Sequence, residues 1–213
     1  MSEETNNGRL KDVIFWAKEN YIKVIIVFIL ISSFFIGLYL WEKYKEQESQ
    51  QASILYDEFY IAIDNPQNNI SKVLKLKNDF KKRFSNQIYL DLMNMRLAKK
   101  YLVLENKVAA IKLLKEANAS LEEKNSDVYF LRDLSRIRLA MLLISTEELE
   151  EAKSILLKTF SFYEPLKYEY LGDLEKKLLN NSEAKKNYIK ALSLTNSEEH
   201  KNILNIKLSS LIE

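Results

Sequence analysis

RLAKKYLVLENKVAAIKLLKEA, running from Arg96 to Ala117, decides the fold, because two later stretches repeat its pattern. These are RLAMLLISTEELEEAKSILLKT from Arg138 and YLGDLEKKLLNNSEAKKNYIKA from Tyr170. In each, a leucine precedes a small residue: Leu97-Ala98, Leu139-Ala140 and Leu171-Gly172. Twelve residues after the small residue comes an alanine (Ala110, Ala152, Ala184), and four further on a large apolar residue (Leu114, Leu156, Tyr188). Small residues let the two helices of a hairpin approach closely, and the large one fills the gap between hairpins at the density a protein interior requires. The register is uneven: Ala110 to Ala152 is 42 residues and Ala152 to Ala184 is 32. Glu175 stands where Tyr101 and Leu143 put a large side chain, and Thr159 stands where Ala117 and Ala191 are small.

Outward from these stretches, apolar residues recur at three- and four-residue spacing. They predict helices over 70–83, 87–104, 107–120, 127–144, 147–160, 163–178, 182–194 and 198–211. The links carry Asn, Ser or Glu: Ser85-Asn86, Asn106, Lys124-Asn125-Ser126, Ser145-Thr146, Asn180-Asn181 and Asn196-Ser197. Ser145 followed by Glu148 fits a capping box. No stretch sustains the alternation of a strand, and only three glycines and two prolines occur. The expected fold is all-α.

Upstream, VIIVFILISSFFIGLYLW forms an 18-residue uncharged run from Val24 to Trp41. With Tyr21, Ile22 and Lys23 it reaches the roughly 20 residues of a spanning helix. Trp16 and Tyr21 flank it on one side and Tyr39, Trp41 and Tyr44 on the other, as amphipathic rings do at membrane interfaces. A cleaved signal would have a shorter core ending in small residues; this run ends in Leu38, Tyr39, Leu40 and Trp41 and then EKYKEQE. A retained anchor is therefore expected, its helix continuing to a break at Asp64-Asn65-Pro66. Arg9, Lys11 and Lys18 lie before the span, against Lys43 and Lys45 just after it. That balance favours a cytoplasmic N-terminus slightly. The expected organisation is a short cytoplasmic N-terminus (1–20, polar and disordered over 1–11), a transmembrane anchor (21–41), a helical extension with a first hairpin (42–85) and repeats (86–213).

Composition restricts the chemistry. The net charge is +2, so no nucleic acid or other polyanion is indicated as a partner, and the absence of cysteine excludes disulfides and thiol catalysis. His200 is the one histidine, read as a solvent-facing residue without a second ligand. Adjacent carboxylates such as Glu122-Glu123 and Glu150-Glu151 point to different helix faces and make poor acid/base pairs. No glycine-rich phosphate loop, zinc spacing or EF-hand pattern occurs. No enzyme, cofactor or metal site is expected. The basic run Lys72, Lys75, Lys77, Lys81, Lys82 and Arg83 reads as a charged outer face over an apolar stripe. It is also a surface that could attract anionic lipid or an acidic partner. Ser33 and Gly37 form a small-xxx-small pair that can bring membrane helices close.

The three aligned segments resemble the tetratricopeptide repeat, a helix–turn–helix unit of about 34 residues. In that family the first helix of each unit lines a concave groove. The resemblance thus implies groove positions at Leu92, Met95, Lys99 and Leu102, at Leu134, Ile137, Met141 and Ile144, and at Glu169, Asp173 and Lys176. The first two sets are apolar with flexible methionine, which suits adaptable contact with varied polypeptide segments. The alternative is that they pack against the helices at 47–64 and 70–83 and leave no groove.

In the order of its parts the chain also resembles the YfgM family, ancillary inner-membrane proteins of Gram-negative bacteria associated with the SecYEG translocon. The matching parts are the anchor with its Trp41 boundary, LRDLSRIRLAMLLISTEELEEAKSIL, YEYLGDLEKKLLNNSEAKKNYIKAL and the terminal NIKLSSLIE. This resemblance implies a single-pass inner-membrane protein with a periplasmic repeat domain. Its partners would be the translocon, exported polypeptides and a periplasmic chaperone such as PpiD. Two other readings remain open: an envelope scaffold for division or outer-membrane assembly machinery, and an inverted topology in which the repeats hold a regulator in the cytosol.

Overall fold

The computed structural model describes residues 14–65, 69–84, 88–124 and 126–211. The polar start at 1–11, Pro66 of the expected break, the Ser85-Asn86 link and Asn125 lie outside the described residues. Helices account for all regular structure among those described, and no strand occurs among them. By backbone proximity the chain divides into two units, Met1–Gln51 and Ala52–Glu213.

The first unit holds a short helix over 14–19 and the N-terminal part of α1 (Tyr21–Asp64), whose remainder belongs to the second unit. α1 is long and apolar enough to cross a membrane, and none of its apolar window is buried inside the protein. Within the run, Phe28, Leu30, Phe34 and Phe35 are all exposed. So much bare apolar surface is stable in hydrocarbon and unfavourable in water.

In the second unit, α2 (Ile70–Arg83) leads into three hairpins. The first pairs α3 (Ile88–Val103) with α4 (Lys107–Glu122), and the second pairs α5 (Tyr129–Ser145) with α6 (Leu149–Leu156). The third pairs α7 (Glu164–Lys177) with α8 (Asn181–Leu194), and α9 (Glu198–Ser209) follows it. A 3₁₀ turn at Ser126–Val128 precedes α5. The repeat residues do what their sizes predict. Ala98, Ala140, Ala110, Ala152 and Ala184 are buried at the contacts within hairpins, and Leu114, Leu156 and Tyr188 are buried beside them. At Gly172 the reason for the smallest side chain is explicit: a Cβ there would collide with the ring of Tyr188.

The turns repeat as closely as the helices. Glu105, Glu147 and Leu179, each seven residues after the small residue, all adopt a left-handed backbone, with φ of 59°, 66° and 62°. The amide of the next residue donates to a carbonyl five residues back: Asn106 to Tyr101, Glu148 to Leu143 and Asn180 to Glu175. This six-to-one bond closes a Schellman motif, which satisfies carbonyls at a helix end. Glycine normally takes the left-handed position. None of these three turns uses one.

The expected capping box is corrected by this turn. Ser145 is the last residue of α5, and its hydroxyl donates to the Leu142 carbonyl at 2.7 Å. The N-cap of α6 is Glu148, which accepts from the Thr146 hydroxyl and from no amide of α6. The expected helix over 147–160 is also shorter, ending at Leu156. The chain beyond it is drawn aside: the carboxylate of Asp133, fully buried, accepts from the amides of Ser161 and Phe162 at 2.7 and 2.9 Å. Arg136 donates to the Thr159 carbonyl at 2.6 Å, so Thr159 is a loop anchor and has no small-residue role inside a helix. Pro165 opens α7, in the first turn, where its missing N–H is not needed.

α2 carries the basic run. Val73 and Phe80 are buried on its inner face, but Lys77 is buried with them, 3.7 Å from Glu116 of α4. Burial pulls the Lys77 pKa below its ordinary value, against the opposing pull of Glu116.

Candidate functional site

Helical spacing of three and four residues puts Leu92, Met95, Lys99 and Leu102 on one face of α3. By the same rule Leu134, Ile137, Met141 and Ile144 share a face of α5. The structure sets these faces beside one another and leaves hollows between them. One, of about 310 Å³, is bounded by Leu92, Met95, Lys99 and Leu134, with Tyr56 of α1 and Leu131 at its margin. A second, of about 250 Å³, is bounded by Met95, Lys99, Leu102 and Met141, with Ala98 and Leu114 behind them. Met95, Lys99 and Arg138 line both, so the two are parts of one channel. A third hollow, of about 430 Å³, adjoins it at Arg96 and Lys99 and runs along Tyr60, Ile63 and Asp64.

Within the channel Met141 is 40 % exposed and Met95 is buried at its floor. Ile137 and Ile144 are buried and border neither hollow; they belong to the core. The C-terminal part of α1 does pack against the first hairpin, with the Tyr56 and Tyr89 rings 5.2 Å apart, but it stops at the margin of the channel.

Cations surround the apolar floor. Arg96 is occupied: its guanidinium stacks 3.6 Å from the centre of the Tyr60 ring, and Nη1 lies 3.3 Å from Asp64 Oδ2. Lys99 and Arg138 form no hydrogen bond or ion pair with any described residue. Partial burial pulls the Arg138 pKa below its ordinary value; Tyr163 opposes that pull and the charge of Arg96 adds to it.

The third expected set is placed differently. Glu169, Asp173 and Lys176 lie beneath α9 and bond to it. Lys207 reaches Glu169 Oε1 at 2.7 Å and both Asp173 oxygens at 2.7 and 2.6 Å, and Lys176 donates to the Ser210 hydroxyl at 2.8 Å. Tyr188 donates to Asp173 at 2.8 Å, and its burial together with that carboxylate drives the phenol pKa far up. His200, expected to face solvent, is instead half-buried, with Nε2 2.7 Å from Glu169 Oε2 and Nδ1 3.1 Å from the Thr195 hydroxyl. Lys207 of α9 thus brings a cation to the two carboxylates of this inner face.

Ser33 and Gly37 lie exposed on α1, and a Cβ added at Gly37 would meet nothing within 4 Å.

Reading from sequence passed over Arg96 and Arg138, although both were visible. They open the aligned segments RLAKK and RLAML, immediately before the leucine, whereas the third segment has Tyr170 there. Tyr56 and Tyr60 carried no such signal, since nothing in the α1 sequence shows which neighbour its aromatic side meets.

No curated protein and no solved structure matches the chain. A family model, described as a tetratricopeptide repeat-like domain, matches residues 14–213. With nearly the whole chain covered, and three Schellman-closed hairpins in register, this protein belongs to the tetratricopeptide repeat-like domain family.

Proposed function

We propose that this protein is a noncatalytic, membrane-anchored adapter whose helical repeats hold polypeptide segments in the channel between α3 and α5. Tetratricopeptide-like domains serve as protein–protein interaction modules, which supports the general reading. The observation that carries it is the channel itself. It offers an apolar floor with two methionines, whose flexible side chains adapt to varied partners.

The finer reading rests on the order of parts. A single N-terminal anchor followed by about three degenerate repeats resembles the YfgM family. On that resemblance the repeats stand in the periplasm beside the SecYEG translocon, meeting exported polypeptides and a chaperone such as PpiD. The exposed apolar stretch of α1 supports an anchor, and the charges flanking it support a cytoplasmic N-terminus.

Photocrosslinkers at Met95, Met141 and Ser33 in the membrane-embedded full chain test this function. Adducts with translocon subunits or a chaperone are expected; absence of any polypeptide adduct from the two methionine positions overturns it. A reporter active on only one side of the membrane, fused after Glu213, tests the orientation. Activity on the cytosolic side overturns the periplasmic placement.

A further inference from the structure

Charge is distributed unequally along the inner faces of the repeats, and this inequality says what the channel binds. On α7 the face is acidic, with Glu169 and Asp173 both engaged by Lys207 of α9. On α3 and α5 the matching register positions carry no carboxylate. Met95 and Ile137 stand where α7 has Glu169, and Lys99 and Met141 where it has Asp173. The cations around those positions, Lys99 and Arg138, have no anion among the described residues. Both side chains are exposed, and Arg138 lies near enough to Arg96 to feel its charge.

A cation with no anion of its own, set at the edge of an apolar hollow, offers an incoming carboxylate a charge-assisted hydrogen bond, about twice as strong as a neutral one. Around it lies an apolar surface formed by Met95, Leu102 and Met141. We propose that the channel takes an apolar polypeptide segment bearing carboxylates. Its aliphatic side chains would sit on the methionine floor and its Asp or Glu side chains against Lys99 and Arg138. The α7–α9 contact is the same arrangement with the charges exchanged, a helix docked through a cation onto carboxylates of an inner face. The inference rests on the polypeptide-binding reading of the channel and adds the chemistry of what is bound.

The test uses the full chain in nanodiscs of zwitterionic lipid and three fluorescent amphipathic peptides. One carries Leu, Met and Glu; in the second every Glu is Gln, and in the third every Glu is Lys. The Glu peptide should bind most tightly and weaken as salt rises. Arg138→Glu and Lys99→Glu should each weaken it by about tenfold and improve the Lys peptide. Lys186→Glu, on α8 and away from the channel, should change neither. Improved binding of the Lys peptide is a gain that a misfolded variant cannot produce. Equal binding of the Glu and Gln peptides, indifference to the two reversals, or no binding of any peptide overturns the proposal. If crosslinks from Met95 and Met141 still form in that case, the adapter reading stands and only the charge preference falls.

Discussion

Lys153 on α6 sets its ammonium 2.8 Å from the Glu175 carboxylate on α7, an ion pair that joins the second hairpin to the third. Glu175 occupies the register position of Tyr101 and Leu143, and it is buried as they are expected to be. The Asn180 amide donates to its other oxygen at 2.9 Å. The bond from Lys153 holds the Glu175 pKa below the usual carboxylate range, against the upward push of burial. Polar partners have thus replaced the packing of an apolar knob.

Restoring that knob should be tolerated. Glu175→Leu leaves Lys153, which is 37 % exposed, free to return to water. The leucine recovers apolar burial, so stability should stay level or rise by about 1 kcal/mol. Glu175→Ala loses the pair and leaves a hole, and should cost about 1–2 kcal/mol. Thermal unfolding of the two variants beside the parent checks the sign.

Gly172→Ala should be severe for a single methyl. The added carbon meets the ring of Tyr188, which is fully buried and tied to Asp173 through its hydroxyl, so it cannot swing aside. A loss of about 2–3 kcal/mol is expected. Combining it with Tyr188→Leu should give less than the sum of the two single losses; strict additivity in urea unfolding would contradict the contact.

At the turns, Leu179→Gly should stabilise. Leu179 is 86 % exposed, contributes almost no packing and carries φ of 62°. A left-handed backbone costs a non-glycine residue about 1–2 kcal/mol. Glycine removes that cost but gives some back as unfolded-chain entropy, so a net gain of about 0.5–1 kcal/mol is expected. A fall in melting temperature would count against the turn geometry.

The helical hairpins were legible because their information is local. Each small–large pair lies within one hairpin, and the start of α2 at Ile70 and the end of α8 at Leu194 follow from periodicity alone. The left-handed turns were not legible, because the usual marker, glycine, is missing from Glu105, Glu147 and Leu179. The early end of α6 was hidden for a different reason: it depends on Asp133 and Arg136, which precede the loop they hold by more than 20 residues. Of the site, the apolar positions on α3 were readable through the alignment with the tetratricopeptide repeat. The covering of Glu169, Asp173 and Lys176 was not, since only the docking of α9 reveals it.

Acid should loosen the junction around Glu122. Arg136 grips this carboxylate through two bonds of 2.8 and 2.7 Å, and Lys158 adds one of 3.0 Å. The Arg136 bonds dominate and bring its pKa from 4.5 down to about 2, with burial opposing. The folded protein therefore keeps the charge where the unfolded chain would take a proton. The contribution is complete above about pH 4.5 and is lost as pH falls toward about 2. Solvent screens this partly exposed group, so about 1–2 kcal/mol is expected. Glu122→Gln should flatten the acid limb of a stability–pH curve; an unchanged limb would refute the assignment.

Asp133→Ala should be the most damaging polar substitution in the second hairpin. It strips the buried Arg136 of a partner at 3.0 Å and removes the acceptor that holds the amides of Ser161 and Phe162. A cost of about 3–5 kcal/mol is expected, with Asp133→Asn appreciably milder because it can still accept. Limited proteolysis should show the earliest cleavage near Ser161 in the alanine variant.

The bond between Lys207 and Asp173 joins residues 34 positions apart, and it has a consequence for how the protein is made. A ribosome delivers α7 with its two inner carboxylates well before it delivers the lysine that neutralises them. The nascent third hairpin must therefore wait, with Glu169 and Asp173 still hydrated, whereas the two helices of the first hairpin meet within residues 88–122 and are delivered long before. Synthesis runs from one end and consolidation follows in the same direction, so a chain stalled short of Glu198 should carry a native first hairpin and a loose last one. Pulse proteolysis of stalled chains would display that gradient directly.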